Sequence, residues 1–382
     1  MKEPKKPKTA PVVAKAAGIA FGAIVLAFAA TLAVLALRRR GSSKTSQAYY
    51  AGMKNAPPAT AAWSSAGSYF EWSSTVSENA GHPPIRIFTI ALGDPSKPAI
   101  LLVHGYPTSS WDYEALAGEL SKDHRVYALD TPGYGFSDKP KTGYKYSLFE
   151  DARLVDWYVR DVAQLHDFTL VTHDKGDSVG LALLQIYQGY GAERPYTITH
   201  HVITNGNAWL PLARLSWLQK ALLSPLTGPF LSRVLTPDFL AKGLSNSVYN
   251  PPLDSAETAA LASIFAYQDG TRIEHEIIGY LNERKTHEAE WLEALAHSDI
   301  PTTLVWGEKD PIAPPAVADY VWAHALAGRA APASYWRVSK ASHYIQHDQP
   351  LVLAAFIRRA SGSDAQSLVR IPGAILIAMT GG

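Results

Sequence analysis

Phe168–Asp177 reads FTLVTHDKGD and runs on into SVGLALLQIYQ. The β-branched and aromatic residues up to Val171 suit a strand, and the apolar spacing beyond Asp177 suits a helix. The chain therefore turns from strand to helix within Thr172–Gly176. A turn of this kind holds its central side chain, here Asp174, in a strained and exposed position. It needs smaller residues two before and two after, and the next backbone N–H helps to form an oxyanion hole. Thr172 is bulkier than the glycine usual at the first small position. Asp174 could also serve simply as the N-cap of the helix that follows.

Outward from this turn, strands and helices alternate, which predicts a mostly parallel sheet covered on both faces. AILLVHG (Ala99–Gly105) is a near-continuous apolar run, as a buried parallel strand requires. Helix WDYEALAGEL, strand HRVYALD, a helix from Ser147, strand FTLVTHD and strand HHVITNG follow in order. IRIFTIAL (Ile85–Leu92) reads as the half-exposed opening strand, with Ile85, Ile87 and Thr89 on one face and Arg86, Phe88 and Ile90 on the other. From Ala208 to His297 the patterns are helical only, with joints at Pro211, Pro225, Pro229 and Pro251–Pro252. Strand PTTLVWG, a helix near Val317–Leu326, strand ASYWRVS and a helix near Leu351–Arg359 then restore the alternation. The fold class expected is α/β, a doubly wound sheet with an inserted helical cap: core 68–207 and 298–360, cap 208–297.

Three further segments share the carboxyl ends of the predicted strands, where ligands of such sheets gather. His104-Gly105-Tyr106-Pro107 ends one strand and offers the Tyr106 N–H as a second oxyanion donor beside that of Lys175. Trp306–Pro311 (WGEKDP) sets Asp310 just past another, and Ser342-His343-Tyr344 lies in the loop after the last. The chain order Asp174, Asp310, His343 is nucleophile, acid, base, the order of α/β-hydrolases. Ser178 does not occupy the elbow position, which disfavours a serine esterase. The Lys175 side chain either points at solvent or binds an anionic substrate group. His173 packs beneath the elbow, and His200–His201 sit within a strand. No His/Asp/Glu spacing suggests a metal, and no cofactor is expected.

HGYPTSSWDY, ALDTPGYGFSDKP, VTHDKGD, WGEKDP and SHYIQHDQP together resemble the epoxide hydrolase and haloalkane dehalogenase branch of the α/β-hydrolase superfamily. HDxGD at His173–Asp177 and YLNER at Tyr280–Arg284 bring the chain nearest the mesoderm-specific transcript group. The resemblance covers about Ile85 to Arg359. It implies Asp174 as nucleophile, Asp310 as acid and His343 as base, and it implies a cap tyrosine that protonates an opening oxygen: Tyr280 first, Tyr267 second. Carboxylate attack on a carbonyl would yield only a mixed anhydride, whereas attack on a saturated or epoxide carbon yields an alkyl–enzyme ester. His343, oriented by Asp310, would then activate water to hydrolyse it. The implied activity is epoxide-hydrolase-like, on a small apolar substrate. A dehalogenase usually carries Trp after the nucleophile and Asn after the HG pair; Lys175 and Tyr106 stand there instead. The rivals are a dehalogenase, an acyl-transfer enzyme and a non-catalytic interaction protein on a hydrolase scaffold. In the cap, Trp209, Trp217 and Trp291 either line an apolar pocket or pack the cap.

The 382 residues suffice for one large domain with an insertion, and a net charge of +1 gives no electrostatic case for nucleic acid. The absence of cysteine excludes disulfides and a thiol nucleophile. Ala16–Leu37 contains no charged residue, and a run of roughly 22 residues at about 1.5 Å each crosses a hydrocarbon core of about 30 Å. It is expected to be a single transmembrane helix, preceded by the basic segment 1–15, and to join the chain to a lipid bilayer. A cleaved leader fits less well, because Arg38–Arg40 stand where small residues should precede cleavage. Both flanks are basic, so the positive-inside rule assigns no side. Residues 38–67, rich in Ser, Ala, Gly and Pro, read as a flexible linker, and 361–382 as a tail whose IPGAILIAM is too short to span a bilayer.

Overall fold

The computed structural model describes residues 44–362 and 371–380. The expected membrane helix Ala16–Leu37 lies outside them. No helix among the described residues is long and apolar enough to cross a membrane. Residues 44–382 group into one compact unit.

Nine strands form one sheet in the order β1-β2-β4-β3-β5-β6-β7-β8-β9. They are β1 Ser68–Trp72, β2 Ile85–Leu92, β3 Ala99–Val103, β4 Arg125–Leu129, β5 Asp167–Thr172, β6 Thr197–Thr204, β7 Thr302–Gly307, β8 Ala333–Val338 and β9 Ala374–Thr380. β3 to β8 run parallel, and β1, β2 and β9 join antiparallel. Every residue of β7 is buried, and Ile100 to Val103 of β3 likewise. Helices on both faces leave these strands no solvated side, which is why they read as unbroken apolar runs. Val103 pairs with Thr172, so both strand tips release their loops on the same edge. Between β6 and β7 the chain forms only helices, among them Trp217–Leu223, Gly228–Val234, Pro237–Val248, Ser255–Ala266 and Tyr280–Ala296.

The sheet differs from the expectation at both edges. IRIFTIAL is an interior strand, β2, with β1 covering its outer side. The Arg86 charge that suggested exposure is neutralised by Asp138, 2.8 Å away. The segment read as a flexible linker is folded from Thr45 onward, as helices Ser46–Ala51 and Pro58–Ala66. Its alanines are good helix formers as well as linker residues. Thr45 caps the first helix, and Pro58 stands at the first helical position of the second, where its missing N–H costs nothing. Two buried aromatics hold the segment down: Tyr50, whose hydroxyl meets Ser263 Oγ at 2.9 Å, and Trp63, whose indole N–H donates to Ser110 Oγ. In the expected tail, AILIAMT forms edge strand β9 on β8. Ile375, Leu376, Ile377 and Met379 remain exposed on it, so no buried face supplied a period-two pattern to read.

Candidate active site

Asp174 sits between β5 and the helix Lys175–Gly189 with φ 54° and ψ −116°. That left-handed backbone is costly for a residue with a Cβ and persists because the surroundings fit it closely. A Cβ on Gly105 would stand 2.5 Å from the Cβ of Asp174, so only glycine lets the β3 loop approach the elbow. Thr172 fits for a related reason. A Cβ on Gly180 would lie 2.8 Å from Thr172 Cγ2, and the bare glycine, in the second turn of the helix, makes room for it. The Thr172 hydroxyl donates to Asp177 Oδ1 at 2.6 Å, so the bulkier residue braces the turn.

The loops after β3, β5, β7 and β8 bring the candidate residues together. The Tyr106 N–H donates to Asp174 Oδ1 at 2.8 Å, and His343 Nε2 lies 3.3 Å from Asp174 Oδ2. His343 Nδ1 stands 2.7 Å from Asp310 Oδ2. Asp310 is itself fixed: its Oδ1 accepts from the N–H groups of Ile312 and Ala313, and its Oδ2 from Asn205 Nδ2. Asn205 also accepts from the Gly307 N–H at 2.6 Å. Sequence reading passed over Asn205, an ordinary strand-end residue whose role appears only once β6 lies beside β7. Lys175 begins the helix, leaving its N–H without an intrahelical acceptor beside the carboxylate.

Burial works against charge on Asp174, but the hydrogen bond and charge of His343 and the Tyr106 N–H outweigh it and hold the carboxyl down at about 2. Burial likewise works against a charged His343, and the two carboxylates beside it override that and raise it to about 10. The resting site is thus an imidazolium between two carboxylates. The Asp174 contribution to stability is present above about pH 4 and lost as pH falls through about 2. That of His343 is present below about pH 6.5 and lost as pH rises through about 10. Asp174→Asn removes one of the charges that raise the imidazole. The His343 midpoint is therefore expected to fall, with its ring-proton NMR titration as the measurement; an unchanged midpoint would mean that Asp174 does not face it electrostatically.

Other candidates fall elsewhere. The Lys175 side chain meets neither solvent nor the cavity that reaches Asp174. It is buried, 2.6 Å from Asp151 and 3.0 Å from Thr131 Oγ1, over the Tyr134 ring. His104 is structural: its Nε2 accepts from the Thr131 N–H, which places the proton on Nδ1, facing the Gly105 carbonyl. His173 is buried, its ring 4.8 Å from that of His343. Tyr267 is remote from the nucleophile, donating to the Lys44 carbonyl beside Lys139. Tyr280 is buried behind Tyr106, with ring centroids 5.7 Å apart, and lies outside the wall of the cavity that reaches Asp174. It shares a helix face with Arg284 and Glu288, each one turn on, and that face turns toward the core. Arg284 is wholly buried and its guanidinium makes no hydrogen bond within the described residues; its charge faces Asp177, Asp174 and Glu288. Trp291 is buried beside it, and Trp209 stacks on Tyr320.

That cavity has a volume of about 490 Å³. Tyr106, Pro107, Asp174 and His343 form its floor, and its walls include Trp217, Leu218, Leu222, Phe239, Leu240 and Leu244 of the cap. It is a mainly apolar chamber with a carboxylate and an imidazolium at its end, as small-molecule sites are built.

The chain matches the alpha/beta hydrolase fold family over residues 98–350. It is 35% identical over 223 residues to LipZ of Mycobacterium tuberculosis (strain ATCC 25618 / H37Rv), a match spanning 58% of this chain and 75% of that protein. Over 264 residues it is 33% identical to the mesoderm-specific transcript protein of Mus musculus, 67% of this chain and 75% of that one. The crystal structure of haloalkane dehalogenase DbeA from Bradyrhizobium elkani USDA94 shares the fold, with a TM-score of 0.61 at 19% identity over 79% of this chain and 100% of that one.

Proposed function

We propose, proceeding from the fact that the chain belongs to the alpha/beta hydrolase fold family, that this hydrolase uses Asp174 as a carboxylate nucleophile and works through an alkyl–enzyme ester, most simply on epoxides of apolar molecules. The observation that carries the proposal is the elbow carboxylate itself, one oxygen held by the Tyr106 N–H and the other facing His343. Asp174 Oδ2 attacks an epoxide carbon. A C–O ester bond forms, the ring C–O bond breaks, and its electron pair goes to the opening oxygen. The imidazolium of His343, already on the cavity wall, supplies the proton, so Tyr280 need not. Esterification removes the Asp174 charge that held this proton, leaving a neutral imidazole oriented by Asp310. His343 then takes a proton from water, whose oxygen attacks the ester carbonyl. Oδ1 becomes the oxyanion, with the Tyr106 N–H already aimed at it and the Lys175 N–H alongside, each donor worth about 3 kcal/mol. Collapse expels the diol oxygen, which takes the remaining water proton, and the resting ion pair returns. Halide displacement is less well served, since the Lys175 side chain turns to Asp151.

This route fixes the origin of oxygen. In a single turnover with excess enzyme in heavy-oxygen water, the first diol is expected to carry unlabelled oxygen drawn from Asp174, and the label should appear in the Asp174 peptide. Labelled diol at the first turnover would mean direct attack by water.

The uncharged run Ala16–Leu37 supports a further proposal, a single membrane span. Full-length protein is expected to stay with membranes through a carbonate wash that releases a fragment beginning at Lys44; release of both would remove the span.

A further inference from the structure

The first cap helices carry large apolar side chains on the outside. Trp217 is 69% exposed, Leu226 88% and Phe230 65%, and Val234 and Phe239 are also exposed. Trp217–Leu223 packs on Gly228–Val234, and Trp217 and Phe239 also line the cavity that ends at Asp174. These two residues therefore belong to both the cavity wall and the outer face, and they stand where the cavity meets the surface. Monomeric surfaces rarely leave so many large apolar groups together unless something covers them.

The charge around the patch indicates what covers it. Between residues 208 and 250 the charged residues are Arg214, Lys220, Arg233, Lys242 and a single acid, Asp238, all exposed. The rest of residues 44–382 carries more acids than bases, so the cations are concentrated on this segment. Exposed Trp, Phe and Leu among cations of one sign is the composition of a surface that lies in the headgroup layer of an anionic bilayer. The uncharged run Ala16–Leu37 ends seven positions before Lys44, so a chain anchored there meets lipid at high local concentration.

We propose that the cap face formed by Trp217, Leu226, Phe230, Val234 and Phe239 docks on an anionic lipid surface, so that apolar substrate passes from the bilayer through the cavity rim to Asp174. The delivery step rests on the catalytic reading above; the docking does not. Because residues 44–382 form a unit of their own, a fragment beginning at Lys44 tests docking without the N-terminal run. It is expected to sediment with vesicles of phosphatidylcholine and phosphatidylglycerol, and at least about tenfold more weakly with phosphatidylcholine alone. Leu226→Ser with Phe230→Ser, residues that do not line the cavity, should cut binding to the mixed vesicles by at least about tenfold and leave hydrolysis of a dissolved substrate unchanged. Lys220→Glu with Arg233→Glu should erase the anionic preference. Asp174→Asn should bind vesicles like the parent, which separates docking from catalysis. Vesicle binding that survives the double serine change would overturn the proposal. So would absence of binding, or a dimer in gel filtration that the serine change dissolves while vesicles remain unbound.

Discussion

Asp174→Asn is expected to lower kcat by roughly 10⁴-fold or more while leaving the fold intact. The change keeps the side-chain volume and the acceptor for the Tyr106 N–H, which is 2.8 Å from Oδ1. It removes the negative charge that attacks, and a neutral amide oxygen is too weak a nucleophile to form the ester. Stability should fall modestly at neutral pH, because the substitution removes the favourable Asp174–His343 pair while the imidazolium keeps its Asp310 partner. The checks are steady-state kinetics against the parent, circular dichroism, and peptide mapping to exclude slow deamidation back to aspartate. A variant with undiminished kcat and asparagine still in place would mean that another group attacks.

The parts of this molecule that announced themselves in sequence are those where one local pattern has one physical cause. β3 and β7 lie buried on both sides and so read as plain apolar runs. Asp174, Asp310 and His343 were legible because each follows a strand directly, and parallel strands deliver their carboxyl ends to one edge. What stayed hidden depends on partners distant in the chain. Ser46–Ala66 has the composition of a linker, and partners far along the chain, among them Ser110, Phe136, Ser263 and Tyr267, make it structure. β2 could not reveal that β1 would cover it, since Arg86 looks exposed until Asp138 reaches it. Asn205 acts through a neighbouring strand. The resemblance implies Tyr280 as a proton donor; its ring packs on that of Tyr106 and it does not line the cavity, although the Asp174 charge still reaches it. The i, i+4 spacing in YLNER was the available signal that Tyr280 and Arg284 share a face. The left-handed turn at Asp174 admits Thr172 because Gly180 is bare, a compensation eight residues away that no pentapeptide pattern contains.

The second large effect separates the two halves of the reaction. His343→Gln removes the proton donor of ring opening and the base that activates water, but leaves the Asp174 carboxylate and the Tyr106 N–H in place. An alkyl bromide needs no proton to leave, and a reactive epoxide can take one from solvent, so the first displacement should still proceed. Hydrolysis of the ester should not, because no other group within the described cavity stands against Asp174 as a base. Turnover should fall by roughly 10³-fold or more, with the enzyme accumulating in alkylated form. In a hydrolase whose nucleophile is a hydroxyl, the histidine is needed for the first step as well, and no adduct would build up. The measurement is the intact mass of His343→Gln protein after incubation with an alkyl bromide and with a reactive epoxide, followed by mapping of the modified peptide. The account predicts one added substrate group, located on the peptide that carries Asp174. An adduct on any other residue, or unmodified protein under conditions where the parent turns over the same compounds, would contradict it.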